Sequence, residues 1–182
     1  VDINSLGETV VSLQENNHIV VVARDGSIVS HFSAGAVDLE KIDATDERGA
    51  LKFTESQASV PREPDGIQWI DDNHFAIANE GDMDGGSRGM TIFHKDGTEV
   101  FESGVSFEHA IIQVGHYPDK RSDSKGVEPE GMEFAVFGDT PYVFVMAERS
   151  SIEGVFDVSD QANRKLKQLR SFRRSYPKAQ TN

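Results

Sequence analysis

The stretch "EPDGIQW" beginning at Glu63 is spelled again as "EPEGMEF" beginning at Glu128. A corner of this kind leaves the chain little freedom. Proline fixes its own φ and drives the residue before it out of the right-handed helical region, while glycine allows backbone conformations that side chains resist. The match extends past the corner, because "EPDGIQWIDDNHFAIANEGD" aligns with "EPEGMEFAVFGDTPYVFVMAER". Each copy reads as a strand (67–70; 132–137), a polar turn, and a second strand rich in β-formers (75–78; 142–147) that ends in an acidic loop at Glu80 or Glu148. The glycine is expected to carry the unusual φ and the proline to lock the entry into the innermost strand of a sheet.

A third strand follows each time, in "GMTIFHKDG" and "EGVFDVSD", and "TEVFES" alternates as a fourth. Upstream, "ETVVSLQENNHIVVVARDGSIVSHF" keeps the same rhythm without the Glu-Pro corner. Recurring four-stranded antiparallel units of this size are the signature of propeller blades. The reading is an all-β chain, a partial β-propeller of about three to four blades, with blade-like units near 6–36, 63–104 and 128–172. A β-sandwich with a chance echo is the competing architecture. The 65 residues from Glu63 to Glu128 exceed the roughly 40 to 50 of common blades, and the excess sits in the connection 104–127. Helical spacing is nearly absent, except in "NRKLKQLRSF", which reads as a short helix or as the last strand of its unit, followed by a basic tail; 161–182 is the basic C-terminal segment.

Charge narrows the partners. There are 31 acidic residues against 18 lysines and arginines, a net charge of −13, and every acid lies at or before Asp160. The last 22 residues hold seven bases (Arg164, Lys165, Lys167, Arg170, Arg173, Arg174, Lys178) and no acid, and are expected to cover the acidic body. A body so acidic repels phosphate backbones, so nucleic acid is not an expected partner. The absence of cysteine excludes disulfides and thiolate metal sites. No apolar run approaches the ~18 residues that span a bilayer. The opening at Val1 reads as a removed targeting segment or a piece of something longer.

Asp65 and Glu130 sit between the proline and glycine of each corner, so Glu63, Asp65, Glu128 and Glu130 are expected to face one funnel, with Glu80, Asp82 and Glu148 on the same rim. Two carboxylates about 4 Å apart repel by roughly 4 kcal/mol at an effective dielectric near 20, against a whole-domain stability of ~5 to 15 kcal/mol. Converging acids must therefore be spread, protonated, paired with bases such as Arg62 or Arg149, or bound to a cation. Oxygen-only ligands favour Ca²⁺ over Zn²⁺. Capping of local backbone amides is the alternative. In "EGDMDGGSRG" (80–89), Asp82 and Asp84 could hold a cation, or exposed amides with Arg88 an anion. "DATDERGALKF" (43–53) offers a weaker calcium loop through Asp43, Asp46 and Glu47, its glycine one place late and Thr54 standing where a bidentate Glu belongs. The connection 107–126 places His109, His116 and Arg121 where a phosphate could be held, with Arg88 and Arg149 as further substrate-binding candidates; a plain surface excursion is the competing reading. No nucleophile elbow is present.

At "REPDGIQWIDDNHFAIANEGD", "GGSRGMTIF" and "KGVEPEGMEF…YVFVMAER…GVFDV", from roughly Val37 to Asp160, the chain resembles the choice-of-anchor I family. These are large bacterial β-propeller proteins, often secreted or surface-attached, longer than this chain and sometimes labelled alkaline phosphatase-like. It is more distantly similar to phytase-like and esterase-like propellers, whose Pro-Glu-Gly turns line the funnel. The resemblance implies a secreted, periplasmic or cell-surface location and puts Glu63, Asp65, Glu80, Glu128, Glu130 and Glu148 on a metal or ligand rim. Two functions are expected to compete. One is a Ca²⁺-dependent phosphoesterase acting on phosphate-ester small molecules. The other is a non-catalytic surface module whose cations only rigidify it. Open blade edges would favour self-association.

Overall fold

The computed structural model describes residues 1–46, 50–160 and 164–172. Glu47, which the weaker calcium loop required, and the tail residues Arg173, Arg174 and Lys178 lie outside them.

Three four-stranded antiparallel sheets are laid down one after another. The first blade runs β1 (Asp2–Ile3), β2 (Thr9–Leu13), β3 (His18–Val22) and β4 (Ile28–Ser33). A two-stranded ribbon, β5 (Ala36–Ile42) with β6 (Glu55–Pro61), intervenes. The second blade is β7 (Ile67–Trp69), β8 (His74–Ala78), β9 (Met90–His94) and β10 (Glu99–Glu102). A helix, α1 (Ser106–Gln113), and a 3-10 turn over Asp119–Arg121 lead to the third blade: β11 (Pro129–Phe137), β12 (Thr140–Ala147), β13 (Ile152–Asp157) and β14 (Lys165–Ser171). The strands of each blade follow chain order, and β7 lies against β1 and β2 on one side and β11 on the other. This is a partial β-propeller of three blades, with the first strands gathered at its centre. Within "NRKLKQLRSF", Lys165–Ser171 forms the last strand of its blade.

Apolar patterning follows from how many faces of a blade are covered. In β8 the residues Phe75, Ala76, Ile77 and Ala78 are all buried. Phe75 and Ile77 point at the first blade, into a cluster with Val10, Ile19, Val21 and Trp69. Ala76 and Ala78 point at the third, with Met90, Ile92, Val143, Val145, Ala147 and Phe156. A strand covered on both sides reads as an apolar run, and one covered on a single side alternates, as β3 does with Ile19 and Val21 buried between half-exposed neighbours.

The connection 104–127, where no helical spacing is read from the sequence, is not a plain surface excursion. Its first third is helical, and Phe107 and Ile111 of α1 are fully buried in the interface between the second and third blades. Eight residues are too short for a convincing helical period in sequence, and isolated helices of that length are marginal in water. Burial of one face is what stabilises it.

Candidate functional site

The two corners meet. The amide of Gly66 donates to the carbonyl of Glu130 at 3.0 Å, and a Cβ on Gly66 would lie 2.4 Å from that same oxygen. Glycine is therefore required by close approach rather than by φ. The positive φ values fall instead on the glutamates, 43° at Glu63 and 50° at Glu128, which corrects the expectation placed on glycine. Proline's steric bar on the helical region is met by a left-handed residue, not an extended one. In both copies the glutamate carbonyl accepts from the end of the second strand: Gly81 N–H to Glu63 at 3.1 Å, and Glu148 N–H to Glu128 at 3.0 Å.

Within this shared frame the acids divide. Glu63 is 3% exposed; its carboxylate accepts from the amides of Asp82 at 2.5 Å, Met83 at 2.7 Å and Asp84 at 2.9 Å. The loop 82–84 does form an anion-binding nest, and the anion it holds is the chain's own. Burial works against the charge on Glu63, but the amides of Asp82, Asp84, Met83 and Gly85 outweigh it and hold the carboxyl below its ordinary value of 4.5. Because the folded value is the lower one, this stabilisation is fully present above pH 4.5 and fades as pH falls through the folded value. Glu63→Gln puts an amide among donors and is expected to cost about 2 kcal/mol. Urea unfolding from pH 7 to 3 should show that difference shrinking below pH 4.5.

Glu128 is 1% exposed and serves two bases. The Nε–H of Arg121 donates to Oε1, and that of Arg149 to Oε2 at 3.1 Å. Arg149 also pairs with Glu148 at 3.1 Å. Glu80 accepts from Gln14 Nε2 at 2.8 Å and lies 3.9 Å from Lys125 Nζ, which also approaches Asp82 at 3.7 Å. Burial raises the pKa of Glu80, opposed by Gln14 and Lys125 and reinforced by Glu130 and Asp65.

Asp65 and Glu130 are left, the middle acids of the two phrases. They share an open cleft of about 570 Å³ with Gly66, Gly131, Met146, Ala147, Glu148, Ser151, Ile152 and Phe172. Burial, then repulsion from Glu148 and Asp65, pushes the carboxyl of Glu130 up, with Arg149 opposing. The cleft is acidic on one wall and apolar on the other. Met146 and Phe172 were not singled out from the sequence. The alternation of "YVFVMA" places Tyr142, Phe144 and Met146 on one face, and that was the available signal.

The remaining candidates are dispersed. Arg88 is fully buried. It donates to Glu108 at 3.2 Å, to the Asp43 carbonyl at 3.1 Å and to the Ser122 carbonyl at 2.8 Å. It sits inside the protein rather than on a binding surface. A ring nitrogen of His109 bonds the Lys41 carbonyl at 2.9 Å, and one of His116 the Ser150 carbonyl at 3.0 Å. The two histidines reach different segments. Asp43 accepts the Lys52 amide at 2.8 Å. Among the described residues no three acidic or histidine side chains are arranged to hold a metal ion. Nor, among those residues, is any helix long and apolar enough to cross a membrane.

Fold and site together define a partial β-propeller with an acidic, half-apolar cleft where two blades abut. Residues 83–161 match the family model of the choice-of-anchor I domain. The match takes in α1, the second Glu-Pro corner and most of the third blade; it begins after the first corner, a shorter span than the resemblance from Val37 to Asp160. It points to a surface-associated, extracellular setting. The comparison with curated proteins gives no match.

Proposed function

We propose that the chain is a non-catalytic, surface-associated propeller module that takes a cationic group with an apolar body into the cleft between its second and third blades. One observation carries this: of the four acids in the duplicated corners, Glu63 and Glu128 are spent on backbone amides and arginines, while Asp65 and Glu130 face the cleft beside Met146, Ile152 and Phe172. A carboxylate pair beside an apolar wall suits the head and stem of an alkylammonium or guanidinium side chain. The carboxyl of Glu130, pushed up first by burial and then by Glu148 and Asp65, is one whose charged form an approaching cation stabilises.

The test is calorimetric titration of the whole chain with a benzylamine salt and, separately, with Ca²⁺, for wild type, Asp65→Asn and Glu130→Gln. Amine binding that weakens about tenfold in each variant, the loss of one close charge contact worth ~1.4 kcal/mol, supports the proposal. Binding of Ca²⁺ alone would replace the organic cation by a structural metal. Turnover of a chromogenic phosphate ester that requires Ca²⁺ and is lost in Glu130→Gln would replace the module by a phosphoesterase.

A further inference from the structure

Glu128 holds more cation than it needs. Arg121 alone would neutralise the buried carboxylate, through its Nε–H on Oε1, yet Arg149 is drawn to the second oxygen at 3.1 Å. Arg149 is fixed through its Nε–H, which also faces Glu148 at 3.1 Å. Among the described residues neither η nitrogen of Arg149 has a hydrogen-bond partner, and the side chain is 47% exposed. A guanidinium is a planar fork of donors, and here the outer prongs are left for an acceptor from outside the chain.

The place of that fork is set by residues of the cleft. Arg149 stands in sequence between Glu148 and Ser151, both of which line it, and it touches the Glu148 carboxylate. Its charge reaches Glu130, where it opposes the upward push of burial, Glu148 and Asp65. Groups that accept a cation and groups that donate to an anion therefore share one end of the cleft, while Met146, Ile152 and Phe172 supply the apolar side. Glu148 cancels much of the net charge of Arg149, so what the arginine offers is directed donors in parallel, the arrangement that a carboxylate accepts best. A ligand that meets all three features carries an ammonium and a carboxylate close together, with an apolar group pointing away from both. That is the layout of an apolar α-amino acid. We infer that the cleft binds a small amino-acid zwitterion, its ammonium on Asp65 and Glu130, its carboxylate on the η nitrogens of Arg149 and its side chain against Met146 and Phe172. This rests on the cation reading of the cleft proposed above, and it makes Arg149 the residue that selects a zwitterion over a plain amine.

Benzylamine and phenylglycine test it, because they differ by that carboxylate alone. In calorimetric titration of the whole chain at neutral pH, the better-bound enantiomer of phenylglycine should bind about tenfold tighter than benzylamine, one added charge-assisted contact worth ~1.4 kcal/mol. In Arg149→Met this preference should disappear, while benzylamine itself should bind more tightly, since a repelling charge has gone. Arg121 still pairs with Glu128 in that variant, and its binding of benzylamine reports that it is folded. Arg149→Lys keeps a charge beside Glu128 and Glu148 without the fork; it should also lose most of the preference, and it decides the matter should the methionine variant not fold. Failure of benzylamine to bind the wild type would sink the cation reading and the zwitterion with it. Benzylamine binding with phenylglycine no tighter, or a preference that survives either substitution, would leave the cation reading standing and overturn the zwitterion alone.

Discussion

Arg88→Met is expected to destabilise the protein by about 3 to 5 kcal/mol, the usual cost of removing one partner from a buried ion pair. Both side chains of the Arg88–Glu108 pair are 0% exposed. The cost arises less from the lost attraction than from what remains: a buried Glu108 with no cation, and the carbonyls of Asp43 and Ser122 without their donor. Burial already raises the pKa of Glu108, with Arg88 as the main opposing influence. Removing the arginine should push Glu108 into its protonated form. Proton uptake should therefore accompany the substitution, and the variant should lose less stability at pH 5 than at pH 8. Arg88→Met with Glu108→Leu should recover a large part of the loss, since a well-packed apolar pair often equals or exceeds a buried ionic one. Chemical denaturation of the single and double variants at the two pH values measures all of this. A single variant within 1 kcal/mol of wild type, on the ~3 to 5 expected, would show that the pair bears little of the fold's stability.

Phe107→Ala should cost a similar ~3 to 5 kcal/mol, the range for deleting a fully buried aromatic. The ring stands 5.7 Å from Phe156 in an edge-on arrangement. It also lies so close over the third blade that a Cβ on Gly154 would come 2.5 Å from it. Glycine at 154 makes room for the ring, and the ring fixes α1 between two blades. The resulting void lies in the cluster that holds Val145 of β12, Phe156 of β13 and Val127 of the turn before β11, and the strand-borne side chains have little freedom to collapse into it. Unfolding should become easier as a whole, and hydrogen exchange should speed up first in α1. Phe107→Leu should recover about half of the loss, because much of the volume returns. Exchange rates and urea midpoints for the two variants are the measurements.

Both positions lie in or against the segment that sequence reasoning read least well. "SRGMTIF" and "FEHAIIQVGHYP" contain an arginine, a glutamate and histidines, which look like surface chemistry when met in a line. Whether a charged side chain is a ligand or a buried strut depends on its neighbours in space. Arg88 faces Glu108 from 20 residues away and the Ser122 carbonyl from 34, and nothing local announces such partners. The loop 80–89 shows the same limit from the other side. Of the cation and the anion that its sequence offered to bind, its amides hold the chain's own Glu63, and Arg88 takes no part.

Local sequence determined the blades. Strand alternation, the polar turns and the duplicated Glu-Pro-acid-Gly corner are short-range properties, and backbone sterics convert them directly into strands and a fixed entry angle. Tertiary structure alone decided which carboxylates are spent and which are free. Glu63 and Asp65 are two residues apart with the same chemistry. One is enclosed by amides from another loop, while the other opens on a cleft whose apolar wall is built by Met146 and Phe172 from a different blade. Desolvation and hydrogen bonding act through space, so they become definite only once the blades have docked.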